Sequence, residues 1–376
     1  MVQPIPDVER LVHWPTARRS AAATGRWAAS AGRGSAPVGT EDALAAVADL
    51  RLAARAARGH VAEISGLSAP DGPDAVVVDR AGWVSANLTS LSRLLGPVVA
   101  DLADGRTGSG VAAFAASRAT GVEIGAVMGV LSTKVLGQFD PFADPAGGPG
   151  RLLLVAPTIV GVERELEVDP RDFRLWVCLH EETHRVQFTA NPWLADHLAG
   201  EIRALVAGLG GLVSAARGGP DDGPAAEAAR RRLTALAAQV RDVVRGKADA
   251  TDLLGAVQTE DDRARLARLT ALMSLLEGHA DVVMDDVGPQ VVPGVAEIRR
   301  RFGRRRAGAG PLDRLLRRLL GLDVKARQYS EGARFVRGVQ ERAGRDALAQ
   351  VWRDASTLPR PEEIADPDRW VTRVLG

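Results

Sequence analysis

The sequence predicts an α+β fold that is mainly helical, with a small sheet beside one long helix. Three observations predict it. Aromatic residues make up only 4% of the chain, with a single tyrosine, while Ala and Leu are abundant; such a core is aliphatic and suits helix packing better than a β-sandwich. Helix-period apolar segments recur along most of the 376 residues, and only Val76 to Val78 and Arg151 to Val162 have the short, β-branched, Gly- and Pro-bounded character of strands. Hydrophobic residues reach 46% and charged residues 25%, a balance that supplies a core and excludes wholesale disorder.

Residues 1–40 are polar and rich in Ala, Gly and Ser, with little periodicity after Trp14. They read as a short docking segment followed by a mobile stretch. Residues 41–67 have strong helical propensity, and Pro70, Gly72 and Pro73 break it. After the Val76 to Val78 strand, Ala81 to Leu102 read as helix, with Leu88, Leu91, Leu94 and Leu95 on one face and a kink at Pro97. An apolar, Gly-containing helix covers about Val111 to Leu136. The turn Asp144 to Gly150 leads into RLLLVAPTIVGV, Arg151 to Val162, the best strand in the chain. Asp169 as N-cap and Pro170 at the first helical position start a helix that runs to Thr189, and Asn191-Pro192 ends it. Helices follow at about 194–215, 224–245 and 259–286, the last opened by Thr259 and three acids. A basic run, Arg299 to Arg306, and a loop, Ala307 to Pro311, precede helices at about 311–321 and 325–344 and a short C-terminal helix with a Pro-containing tail. No internal repeat is present.

Lys and Arg number 48 against 47 Asp and Glu, a net charge of +1, so no global electrostatic case exists for nucleic acid or an anionic membrane. The single cysteine, Cys178, excludes a disulfide framework and a cysteine-rich zinc finger, and fits a reducing, cytoplasmic setting. The N-terminus MVQPIPDVERLVHW lacks the apolar stretch of a secretory signal. No apolar run approaches the about 20 residues of a membrane span.

The chemistry-bearing signal is His180-Glu181-Glu182-Thr183-His184, H-E-x-x-H on an expected helix. At about 100° per residue, positions 180 and 184 differ by about 40° and one turn, so both imidazoles converge on one ion. Glu181 lies beside them as a general base. A zinc ion lowers the pKa of bound water towards about 7, and the glutamate takes its proton as hydroxide attacks a carbonyl. Phe173, Leu175, Trp176, Val177 and Leu179 before the motif, and Val186 and Phe188 after it, mark a buried helix whose histidines need partners.

A catalytic zinc takes a third protein ligand and keeps an open position. Glu277, His279 and Asp281 place polar groups in the apolar run Leu272 to Val283. Glu277 and Asp281 are i,i+4 and share a face, while His279 lies about 200° from Glu277. Glu277 is the favoured ligand, because Asp281 one turn later then accepts from the free ring N–H of a ligand histidine. His279 is the alternative. Gly278 in mid-helix is expected to admit close approach of the motif helix. The strand Arg151 to Val162 precedes the motif helix and is expected to act as the edge strand that holds an extended peptide.

The chain resembles the actinobacterial zinc-dependent metallopeptidases called zincin-like metallopeptidase type 2, whose members are often labelled as associated with biosynthesis of a deazaflavin coenzyme. The segments that carry the resemblance are VVVDRAGWVSANL (Val76 to Leu88), VLGQFDPF (Val135 to Phe142), LWVCLHEETHRVQF (Leu175 to Phe188), EGHADVVMD (Glu277 to Asp285), PLDRLLRRLLGLDVKARQY (Pro311 to Tyr329) and Trp352. The resemblance implies a zincin-like fold of the glutamate-zincin type, with His180, His184 and Glu277 as zinc ligands and Glu181 as base. It implies such a domain over 41–376, with a helical N-terminal part at about 41–140, a catalytic part at about 141–345 and a tail at 346–376. About 90 residues separate Glu277 from His184, enough for two or three inserted helices, whereas thermolysin-like glutamate zincins carry the third ligand soon after the motif. No G-x-G-x-x-G follows a strand, so no flavin site is expected.

Tyr329, the only tyrosine, or Lys325 is a candidate to hydrogen-bond the oxyanion. Gln138 and Asp140 are weaker candidates for the site. His13, His60 and His197 read as surface or capping residues. The six arginines between Arg299 and Arg306 read as a solvated basic loop, with an acidic partner as the other reading. Two functions follow: a zinc metallohydrolase that cleaves a peptide bond, or a non-enzymatic zincin scaffold that binds a partner through its cleft and basic loop. The intact Glu181 favours the enzyme, since a scaffold needs only the ligands. A metal-dependent hydrolase of a non-peptide amide uses the same chemistry.

Overall fold

Helices form most of the computed structural model, which describes residues 12–31, 38–67, 69–104, 111–144, 148–216, 259–307 and 322–376. In chain order they are α1 Trp14–Ala31, α2 Thr40–Ser65, α3 Arg80–Asp104, α4 Val111–Leu131, α5 Ala156–Leu166, α6 Pro170–Thr189, α7 Trp193–Ala216, α8 Glu260–Val287, α9 Val295–Ala307, α10 Leu322–Ala343, α11 Arg345–Leu348, α12 Pro361–Ala365 and α13 Pro367–Leu375. The strands are β1 Val76–Val78, β2 Gly137–Asp140 and β3 Arg151–Val155. The helices expected at about 224–245 and 311–321 lie outside the described residues. The chain divides into two units, residues 1–195 with 283–303 and residues 196–282 with 304–376. Among the described residues, no helix is long and apolar enough to cross a membrane.

In the first unit, β3 is the central strand of a three-stranded sheet ordered β1-β3-β2. It runs parallel to β1, with Val77 opposite Leu154, and antiparallel to β2, with Gln138 opposite Leu153. Its side chains alternate between two cores. Leu154 joins Phe173, Val177, Leu179, Leu50 and Val61 on one face. Leu153 and Val155 join Trp83, Leu88, Trp14 and Ala17 on the other.

This arrangement corrects the strand expected over Arg151 to Val162 in two ways. The strand ends at Val155, and α5 begins at Ala156. Pro157 sits in the first helical turn, where its missing N–H has no helical partner to lose. Ile159, Val162 and Leu166 then enter the core at helical spacing, a period that the β-branched composition masked. Because β3 is paired on both sides, it is not an edge; among the described residues, β1 and β2 are.

The N-terminal segment also differs from expectation, since Trp14–Ala31 is a helix. The Nδ1 of His13 accepts from the Thr16 backbone N–H at 3.2 Å and caps it. After Trp14, its buried face uses the small Ala17 and Ala21, so hydrophobic periodicity is weak in the sequence. Those small residues meet Gly121, Gly125 and Gly129 of α4, spaced one turn apart. A Cβ on Gly125 would fall 2.2 Å from the Ala17 carbonyl oxygen, and one on Gly129 would fall 2.5 Å from that of Ala21. Gly125→Ala is therefore expected to lower stability by about 1–3 kcal/mol through overpacking, read as a lower denaturant midpoint. An unchanged midpoint would show that the two helices do not meet there.

The motif helix α6 begins as the sequence dictates. The Asp169 carboxylate accepts from the Asp172 backbone N–H at 3.0 Å, with Pro170 next in line. Arg174 ties α6 to its neighbours. Its guanidinium grips both oxygens of the buried Glu163 on α5, at 3.0 and 2.6 Å, and reaches Asp49 of α2 at 2.7 Å. The basic run is not a loop but the second half of α9. Within the first unit, Arg299 pairs with Asp285 at 2.7 Å, Arg300 and Arg301 pair with Glu297, and Arg301 also donates to the Leu166 carbonyl at 2.7 Å.

In the second unit, α8 and α10 cross at glycine. A Cβ on Gly278 would lie 2.1 Å from the Gly332 carbonyl carbon, and one on Gly332 would lie 1.8 Å from the Ser274 oxygen. Within this unit, the helix that comes close at Gly278 is α10. Trp370 of α13 is fully buried, stands edge-on to Phe335 at 5.9 Å and donates from Nε1 to the Thr357 carbonyl at 2.8 Å. Glu363 accepts from Arg373 through both oxygens, at 2.6 and 2.8 Å, which fastens α12 to α13.

Candidate metal centre

Helix α6 places His180 and His184 one turn apart, and their Nε2 atoms face each other at 3.2 Å. The ring centroids are 4.6 Å apart and the planes nearly perpendicular, at 87°. A tetrahedral ion held at about 2.0–2.1 Å separates two ligand nitrogens by about 3.3 Å, so this bite fits zinc. Each ring turns its Nδ1 towards an acceptor. That of His184 is 2.9 Å from Oε1 of Gln187, and that of His180 is 3.3 Å from Sδ of Met284 on α8. With Nδ1 protonated on both rings, both Nε2 lone pairs point into one gap, an arrangement that a cation between them relieves.

Glu181 is buried, at 7% exposure, and lies against β2. A Cβ added to Gly137 would fall 2.6 Å from Glu181 Cγ and 3.0 Å from Oε1, so only glycine leaves this carboxylate its place. The neighbouring Glu182 is committed elsewhere. Arg185 grips it through Nε and Nη2, at 2.9 and 2.6 Å, in a buried ion pair. Of the two adjacent glutamates, Glu181 is therefore the one that the fold leaves beside the histidines. Cys178 faces the opposite side of α6, fully buried against Leu50; burial, and then the carboxylates of Glu181 and Glu182, push its thiol well above the usual range.

The structure places His180 and His184 side by side on α6, with Glu181 between them in sequence. Gln138 and Asp140 hold the scaffold instead. Gln138 accepts from Trp83 Nε1 at 2.8 Å and donates to Asn87 at 2.9 Å, while Asp140 accepts from Ser90 at 2.6 Å. Glu277, in the second unit, is buried on α8 at 8% exposure, and Asp281 follows one turn later. Glu277 precedes Met284 by seven residues, about two turns, and so lies on the same stripe of α8. His279 stands edge-on to Trp352 at 5.2 Å. Tyr329 falls in α10, but its side chain and that of Lys325 lie outside the described residues.

Sequence reasoning missed Gly137, Gln187 and Met284. A signal existed for Gln187, a polar residue three positions after His184 between the apolar Val186 and Phe188. Gly137 and Met284 carry no local signal, because their roles arise from contacts across the fold.

Two imidazoles one helical turn apart, with a buried carboxylate between them on a helix packed against a small sheet, form the arrangement of the zincin class. The chain belongs to the zincin-like metallopeptidase family, whose sequence pattern matches residues 12–371. It is also similar, at 27% identity and a TM-score of 0.65, to a protein from Chloroflexus aurantiacus whose crystal structure is described as that of a candidate hydrolase with a novel fold. The similarity covers 96% of this chain and 98% of that one. No curated protein matches the chain.

Proposed function

We propose that the protein is a zinc-dependent peptidase of the glutamate-zincin type, in which His180, His184 and Glu277 each offer one ligand atom. The observation that carries this reading is the 3.2 Å approach of the two Nε2 atoms beside the buried Glu181. Bound zinc would supply Lewis acidity, acidifying water and polarising the scissile carbonyl. The Glu181 carboxylate takes the proton of the attacking water and delivers it to the departing amine. Gly137 keeps that carboxylate in position from β2. As an edge strand in the first unit, β2 is the proposed support for an extended substrate main chain, in the role that β3 cannot fill.

Glu277 is supported as the third ligand by its buried carboxylate and by its place two turns before Met284, which touches His180. Asp281 on the same face is proposed to steady the centre from behind, and Tyr329 to bond the oxyanion. A cytoplasmic setting belongs to the same proposal, on the lone, free Cys178. An acidic partner at Arg299–Arg306 has less support, because Arg299, Arg300 and Arg301 are engaged in ion pairs. The test is metal analysis of purified protein together with hydrolysis of a mixed peptide library, with and without chelator. The expected result is about one zinc per chain and cleavage that chelation abolishes. Protein that neither carries nor takes up zinc would sink the reading, and tightly held zinc with no hydrolysis would favour the non-enzymatic scaffold.

A further inference from the structure

We propose that Gln187 is the positioning residue that sets the tautomer of His184 and makes this imidazole the anchor of the metal centre. The inference rests on the zinc-ligand reading of His184 above. Gln187 is fully buried, and its Oε1 lies 2.9 Å from His184 Nδ1, a normal length for an N–H···O bond. It sits three residues after His184 on α6, so the two side chains share one helix face. An imidazole that binds metal through Nε2 must carry its proton on Nδ1, and that N–H then needs an acceptor. The amide oxygen supplies it, which also fixes which end of the Gln187 amide faces the ring. The helix end is held as well, because Asn191 Nδ2 donates to the Gln187 backbone carbonyl at 2.9 Å.

The two histidines are therefore not equivalent. His180 turns its Nδ1 to the Met284 thioether, a weak acceptor, at 3.3 Å. The amide carbonyl behind His184 is the stronger acceptor and holds that imidazole's orientation and tautomer more firmly. Loss of Gln187 should accordingly cost more metal affinity than loss of Met284.

The test uses the full chain and three variants. Gln187→Met keeps the volume and removes the acceptor; Gln187→Glu keeps an acceptor oxygen; Met284→Leu removes the thioether. Zinc affinity is read by competition with a chromophoric chelator. Gln187→Met should weaken zinc binding about 10- to 100-fold, the usual effect of losing a partner behind a ligand. Gln187→Glu should retain wild-type affinity or exceed it, and Met284→Leu should lose less than Gln187→Met. Imidazole nitrogen NMR of the metal-free protein gives a second readout. It should place the His184 proton on Nδ1 in wild type and Gln187→Glu, and shift it towards Nε2 in Gln187→Met. Equal zinc affinity in wild type and Gln187→Met, or no rescue by Gln187→Glu, overturns the proposal. A wild-type proton on His184 Nε2, or a tautomer indifferent to Gln187→Met, overturns it too. Wild-type protein that binds no zinc while the tautomer shifts as expected leaves Gln187 in its role and sinks the metal reading instead.

Discussion

Glu181→Gln will leave zinc content and thermal stability near wild type while peptide hydrolysis falls by about 10²- to 10⁴-fold, the usual worth of a positioned acid–base group. Glutamine keeps the size and polarity of the side chain, so it still fits the space that Gly137 leaves beside it. What it lacks is a carboxylate able to accept the proton of water. The neighbouring Glu182 cannot substitute, because its carboxylate is buried in the fork of Arg185. Moving it to the site would strand a buried guanidinium, at a cost of about 3–5 kcal/mol. The variant therefore separates chemistry from scaffold. Undiminished, chelator-sensitive activity in Glu181→Gln would show that the base is another group.

The second large effect concerns the ligands. His184→Ala should remove most of the zinc, since the 3.2 Å bite of the two Nε2 atoms disappears. Glu277→Ala should also lose metal, by more than the about 10- to 100-fold typical of a residue behind a ligand. Asp281 is one helical turn away and cannot take over without movement of α8. His279→Ala should keep its zinc, because that ring packs edge-on against Trp352. Calorimetric zinc titration of the three variants decides the assignment. If His279→Ala strips the metal and Glu277→Ala does not, the two residues exchange roles.

Much of the motif helix was legible in the sequence. Asp169 and Pro170 announce its start through capping chemistry that acts within one turn. The i,i+4 spacing of His180 and His184 guarantees that a helix puts both imidazoles on one side. The extent of Thr40–Ser65, the start of Glu260–Val287 and the strand Val76–Val78 were readable for the same reason, as each is specified by neighbours in sequence. The segment after Val155 was not, because β-branched residues suit a buried helix turn as well as a strand, and Pro157 fits the first turn of the one better than the middle of the other. The helix Trp14–Ala31 was hidden because, after Trp14, small residues form its buried face, and small residues give little hydrophobic signal.

The sequence by itself determined the chemistry on offer: two imidazoles and a carboxylate on one helical face, within five consecutive residues. Those positions are fixed by the helical repeat, a property of the backbone that needs no other part of the chain. Only the tertiary structure decided which glutamate Arg185 holds in a buried ion pair, which strand is central, and what stands behind each imidazole. Strand order depends on the pairing of β3 with β1, in which Val76 lies opposite Leu153, and local pattern does not encode a partner so distant in sequence. Gly137 beside Glu181 and Met284 beside His180 are likewise contacts between distant segments, and Gly278 is accounted for by Gly332 of α10. Each is set by how packed surfaces exclude one another, and close packing is a property of the assembled fold.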